Sequence, residues 1–360
     1  MMKLFFIGMI ASVTLCVSGQ NAPVNLQDIS AENIAQIREI SRLDVDSNLA
    51  LNERIVWSPD GETFAIVFED QVLLYSASDL SAEPIVLYQT QRIITSATFS
   101  TDFELLAVSS GKPSGSYGVL PLLNDPSVAI IEIDTGALVT TFPTEHVSNS
   151  MAFGVDNTRL IVVDYYSYDF TVWDVHDGQV ISEFETNQYG WGIMFPPTFS
   201  DDATLLALGA GNTYNSRTVW DTQTGKLVAE GEYGYSYELT FSPDNAILAG
   251  ASRYGGSTEL WHLDDDHENL HINYNPYMML ASDFSPDGTI YSQIILTPTS
   301  ADNGYVVEFF TPNNGERLHR TLVSVDTSYT MDMIFSPNRK WLLIYDRING
   351  IQLWGVPEEA

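Results

Sequence analysis

Phe284-Ser285-Pro286-Asp287-Gly288 is one of seven versions of a single signal, an aromatic residue running into a tight turn. The others are Trp57-Ser58-Pro59-Asp60-Gly61, Phe99-Ser100-Thr101-Asp102, Phe153-Gly154-Val155-Asp156-Asn157, Phe199-Ser200-Asp201-Asp202, Phe241-Ser242-Pro243-Asp244-Asn245 and Phe335-Ser336-Pro337-Asn338. Successive aromatics lie 42 to 54 residues apart. Ser-Pro-Asp-Gly suits a type I turn: Ser bonds the local backbone, Pro presets φ, and Gly accepts the exit conformation. Short apolar runs follow the turns, such as Leu105-Leu106-Ala107-Val108 and Trp341-Leu342-Leu343-Ile344, too short for helices and bounded by turn residues. Each unit then offers a third strand, such as Thr171-Val172-Trp173, a second turn such as Thr224-Gly225, and a polar fourth strand such as Lys226-Leu227-Val228 or Arg317-Leu318-His319-Arg320.

Four strands per unit, repeated seven times, predict an all-β, seven-bladed β-propeller with four antiparallel strands per blade. Trp173-Asp174 and Trp220-Asp221, each followed by a glycine turn, resemble WD-repeat propellers over residues 37–356. The Phe-Ser-Pro-Asp-Gly element is similar also to bacterial propellers resembling the periplasmic translocation protein TolB. The last unit runs out after its third strand, Gly350 to Val356, while an orphan apolar stretch, Ile37 to Val45, precedes the first. That stretch is expected to supply the missing outer strand, a clasp that the WD-repeat resemblance also implies. Residues 37–360 therefore form the propeller, and residues 20–36 form a lead in which Ser30 caps a short helix.

Residues 1–19 have the order of a signal peptide. Lys3 is followed by the apolar run Leu4 to Val17 and by small residues at Val17-Ser18-Gly19. The run is too short to span a bilayer, so no membrane span is expected and the chain is placed as secreted or periplasmic. Cys16, the one cysteine, lies inside this leader, and cleavage after Gly19 removes it. Lipid attachment at Cys16 is the alternative, with Leu15 standing where a small residue is needed.

Asp and Glu number 47 against 15 Lys and Arg, a formal charge of −32. Such a chain repels phosphate backbones, which excludes nucleic acid as a partner. The same excess looks like adaptation to salt. Asp264-Asp265-Asp266-His267 reads as a solvated turn, and Asp44-Val45-Asp46 lacks the glycine and twelfth-position Glu of a calcium loop. No metal site and no cofactor are expected, and no nucleophile elbow, zinc helix or phosphate loop occurs. Glu238, Asp332 and Arg54 each stand three residues before a first-strand aromatic, where they would meet at the channel mouth as acid, base and charge clamp, ordinary strand-start polarity being the other reading. Tight turns gather on one face of a propeller and long loops on the other. The long loops and inter-blade links, among them Ser109 to Ser127 and Leu296 to Gly304, carry a run of aromatics that includes Tyr117, Tyr166 and Tyr214, with Tyr165, Tyr168, Tyr189, Trp191, Tyr235, Tyr254 and Tyr277 as the candidate ligand contacts. About half of these aromatics would pack within their loops, and the rest would form an amphipathic binding surface. The expectation is a monomeric propeller that binds a protein, peptide or glycan ligand through that face, the alternative being a hydrolase or lyase using the channel-mouth carboxylates.

Overall fold

Seven small antiparallel sheets stand in a ring in the computed structural model, which describes residues 17–19, 25–45, 55–117, 120–186, 197–209, 216–233, 237–251, 257–263, 268–273, 279–298, 303–324, 331–346 and 348–358. Blade 1 comprises Ile55–Trp57, Thr63–Val67, Gln71–Ser76 and Ile85–Gln89. Blade 2 comprises Ile93–Phe99, Leu105–Tyr117, Leu120–Glu132 and Leu138–Pro143. Blade 3 follows with Ser148–Phe153, Arg159–Asp164, Phe170–Asp174 and Val180–Phe184. Blades 4, 5 and 6 repeat the order from Thr198–Phe199, Tyr237–Phe241 and Met279–Phe284. Blade 7 takes only Met331–Phe335, Leu342–Asp346 and Gly350–Pro357 from the end of the chain.

The turn chemistry read from the sequence is what joins first to second strands. In blade 6, Ser285 Oγ donates to Asp287 Oδ1 at 2.8 Å and accepts the Ile290 N–H at 3.0 Å, while Asp287 Oδ1 also accepts the Thr289 N–H at 3.1 Å. Ser58 with Asp60, Ser100 with Asp102, Ser200 with Asp202, Ser242 with Asp244 and Ser336 with Asn338 repeat the Ser-to-acid or Ser-to-amide bond. Each of the seven turns then places one residue at positive φ: Gly61, Phe103, Asn157, Ala203, Asn245, Gly288 and Arg339. Glycine reaches that conformation freely, whereas Ala203 and Phe103 hold it against steric cost.

Second strands are continuous apolar runs because each blade packs on both faces. Phe64 to Val67, Leu106 to Val108 and Leu342 to Ile344 are all fully buried. The core is accordingly divided among the described residues into seven clusters, one between each pair of neighbouring blades. Leu106 and Val108 meet Ala65 and Val67 between blades 1 and 2, and Phe64 and Ile66 meet Leu343 and Leu353 across the closure of the ring.

Closure is by the expected clasp. Arg38–Leu43 pairs antiparallel with Gly350–Pro357, Leu43 opposite Ile351 and Arg38 opposite Gly355. Leu26–Gln27 pairs with the far end of the same strand, opposite Pro357 and Val356. Outside the clasp, Val17–Gly19 adds a further short strand against Leu43 to Ser41, across the residues read as the end of a leader. The helix expected after Ser30 reduces to one 3-10 turn, Ile34–Gln36, because the segment is held at both ends. Ile29 donates its N–H to Arg339 O at 2.7 Å, Asp28 pairs with Arg339 at 2.6 Å, and Ile29 and Ile34 sink into the interface between blades 6 and 7.

Two further expectations are corrected. Ser109 to Ser127 is a β-hairpin: Leu105–Tyr117 and Leu120–Glu132 stay paired from Glu132 opposite Leu105 out to Leu120 opposite Tyr117. Leu296 to Gly304 likewise continues its ladder to Pro298 opposite Asn303. The fourth strands of the first four blades are not polar, since Ile85, Leu138, Val180 and Leu227 all stand exposed.

Candidate ligand-binding face

The long-loop face is best defined at blades 2 and 3. Asp164, the last residue of the second strand of blade 3, organises the loop that follows it. Its Oδ1 accepts the N–H groups of Tyr166 at 2.8 Å and Ser167 at 2.9 Å, and its Oδ2 sits 2.7 Å from His146 Nδ1 in the link from blade 2. Asp169 closes the loop by donating its N–H to Ser167 Oγ at 3.2 Å, while its Oδ1 accepts the Thr186 N–H at 2.8 Å. Bonds that satisfy loop backbone groups in this way hold a short loop in one shape.

Aromatic rings stand on this frame. Tyr165 and Tyr166 meet edge to face at 5.2 Å, and His146 meets Tyr166 edge to face at 4.9 Å. Burial, with the neighbouring Tyr166 adding, pushes the Tyr165 hydroxyl above its ordinary pKa. Tyr166 is 60% exposed, so its ring offers a face to solvent. His146 and Asp164 also line an adjoining cleft of about 490 Å³ whose walls include Glu145, Asp169, Glu183 and Glu185. An amphipathic ring next to a cleft with carboxylates in its walls can hold a cationic side chain, by ring contact and by charge together.

Tyr168 is a correction. It is 3% exposed, at φ 62° and packed with Phe170 and Leu206, so its ring stabilises the loop and presents nothing to a ligand. Tyr165 is half-buried beside Tyr166, a residue that the choice of candidates had left out. Tyr189, Trp191, Tyr235, Tyr254, Tyr277 and Arg54 lie outside the described residues, as does Asp264 to His267.

At the channel, the residue directly before the aromatic is partly exposed in every blade: Val56, Thr98, Ala152, Thr198, Thr240, Asp283 and Ile334. Asp283, absent from the sequence candidates, is the one acid of that set. Its Oδ2 accepts the Phe335 N–H of blade 7 at 2.7 Å and its Oδ1 the Phe284 N–H at 2.9 Å. Crowding by protein, with Asp201 and Asp332 adding repulsion, outweighs those bonds and pushes its pKa up to about 8. Asp332 lies in the first strand of blade 7, and its Oδ1 accepts the Met333 N–H at 2.9 Å. Glu238 belongs to the first strand of blade 5. Asp332 is near enough to Asp283 to add repulsion to it. Among the described residues no group of three or more His, Cys, Asp or Glu could hold a metal, and no helix is long and apolar enough to cross a membrane.

The architecture defined by these blades is a seven-bladed β-propeller. No family model matches the chain, and no curated protein matches it. Among solved structures it is similar to a chain of the crystal structure of the mitotic checkpoint complex, at a TM-score of 0.64 and 14% identity, with 93% of each chain covered. At that identity the likeness shows the fold alone.

Proposed function

We propose that the protein is an exported, non-catalytic binding module, a WD-like propeller whose long-loop face holds a Lys- or Arg-bearing protein or peptide ligand. The observation that carries this reading is the His146, Tyr165 and Tyr166 cluster, fixed by Asp164, beside a cleft with five carboxylates in its walls. Export rests on the leader-like residues 1–19, and the intact mass of the secreted chain tests it. Turnover by channel carboxylates is the weaker reading, because Asp283 and Asp332 both spend acceptor positions on backbone N–H groups.

A peptide array probed with the full chain at raised salt selects a ligand, and two variants then divide the molecule. Tyr166→Ala is expected to weaken binding by about 2 kcal/mol with the melting curve unchanged, as for an exposed aromatic anchor. Asp287→Ala is expected to do the reverse. Burial raises the Asp287 pKa, but the Ser285 and Thr289 bonds and Arg339 together hold it down at about 2. Losing those bonds should cost about 1 to 2 kcal/mol of stability and spare affinity. If Asp287→Ala loses the ligand while Tyr166→Ala keeps it, the working face is the other one.

A further inference from the structure

The outer edges of blades 1 to 4 carry a feature that the long-loop face does not use. On each fourth strand two adjacent apolar residues stand in solvent: Ile85 with Val86, Leu138 with Val139, Val180 with Ile181, and Leu227 with Val228, all between 40% and 62% exposed. Neighbours on a regular strand point to opposite faces, so four such pairs need a cause. In a blade the outer strand has no strand beyond it, so both of its faces approach solvent, and in blades 2, 3 and 4 a β-bulge also falls at one shared position. Ile131 faces Leu138 while Ile130 faces Thr140; Trp173 faces Val180 while Val172 faces Ser182; Trp220 faces Leu227 while Val219 faces Ala229. Val139, Ile181 and Val228 are the inserted residues.

These pairs form a band beside the third-to-fourth turns, on the side of the short turns. Adjacent blades touch there: a Cβ on Gly178 would press on Thr140 and Phe142, and one on Gly225 would overlap the Phe184 ring. Val155, 60% exposed, and Ile181 also line a groove of about 100 Å³ between blades 3 and 4. The fourth strands of blades 5, 6 and 7 open instead with Leu270-His271, Arg317-Leu318 and Arg38-Glu39. Single exposed apolar residues are ordinary on a protein surface, whereas apolar pairs repeated at the same place on four successive blades are not scatter.

Charge selects the occupant. Residues 76–89, 132–143, 174–184 and 221–233, which carry the four pairs, contain ten Asp and Glu and one cation, Lys226. A second copy of this chain would bring the same acids to the contact, and an anionic lipid surface would be repelled as well. We infer that this half of the rim docks a basic, amphipathic segment of another protein, its apolar residues on the exposed pairs and its Lys and Arg on the bordering carboxylates. The surface is independent of the Tyr166 face.

The test is fluorescence anisotropy of a labelled Leu/Lys peptide, apolar on one face, beside a scrambled peptide of the same composition. The wild-type chain binds the amphipathic peptide at least about tenfold more tightly than the scrambled one. The triple variant Val139→Ser, Ile181→Ser, Val228→Ser loses that preference without a change in melting curve, since the three side chains are exposed. Val228→Lys alone gives a second reading, because added positive charge must also weaken binding. Tyr166→Ala leaves it intact, so this proposal and the one for the long-loop face fail separately. Equal binding of both peptides, full affinity in the rim variants, a sedimenting dimer that those variants abolish, or capture by anionic vesicles instead of peptide would each overturn the inference.

Discussion

Asp283 shows how one side chain ties blades together and what that costs. The first strand of each blade has a free edge toward the channel, and in blade 7 the Phe335 N–H on that edge is satisfied by a carboxylate from blade 6. A proton is held there more tightly in the folded chain, near pH 8, than at the ordinary 3.8. Stabilisation from this group is therefore full below about pH 4 and is lost as the pH rises through about 8. Asp283→Asn removes the titration, so relative to the wild type the variant should gain about 2 kcal/mol between pH 5 and pH 9, part of the full shift being discounted for the partly wet channel. Urea denaturation at the two pH values reads this, and a constant difference between the two proteins would show that the charge is not felt. Nothing in the string Ser282-Asp283-Phe284 announces this role, because it depends on a partner 52 residues away.

Elements were legible in proportion to how local their chemistry is. The seven first turns could be read because Ser, Pro and Asp act within a few residues of themselves. Asp174 and Asp221 fit the same rule, each accepting two backbone N–H groups of the glycine turn after a Trp. In blades 2 and 6 the same turn closes from Glu132 and Thr311, with Gly136 and Gly315 donating to their carbonyl oxygens, so the dipeptide fades while the geometry stays. Gly111-Lys112-Pro113-Ser114-Gly115 hid a paired strand because its composition is that of a loop and its pairing is set by the strand opposite. The bulges at Val139, Ile181 and Val228 hid for the same reason, since register is a property of two strands. At the candidate site, Tyr168 could not be told from Tyr165 or Tyr166 until the loop shape turned its ring inward. The clasp was legible from arithmetic, a strand lacking at one end and an orphan at the other. Leu43, fully buried against blades 1 and 7, makes it testable: Leu43→Ala should cost about 2 to 5 kcal/mol. Deleting residues 25–43 should abolish cooperative unfolding, and an unchanged thermal transition would remove the clasp from the account.

For the whole molecule, charge and closure set the behaviour. A formal charge of −32 on a chain with 15 cations leaves repulsion unscreened at low salt. The Debye length falls from about 10 Å at 0.1 M to about 3 Å at 1 M, so the melting temperature should rise with NaCl over that range. A flat trend would assign the acids to specific partners instead. Closure has a kinetic side as well. Six blades are made of strands that follow one another in the chain, and each can condense as soon as it is synthesised. Arg38–Leu43 is synthesised well before its partner Gly350–Pro357, with the six other blades between them. Until that strand is made the clasp is an edge awaiting a partner some 300 residues away, a highly non-local contact. Blade 7 is thus the late, slow step of folding and the natural point of action for a chaperone.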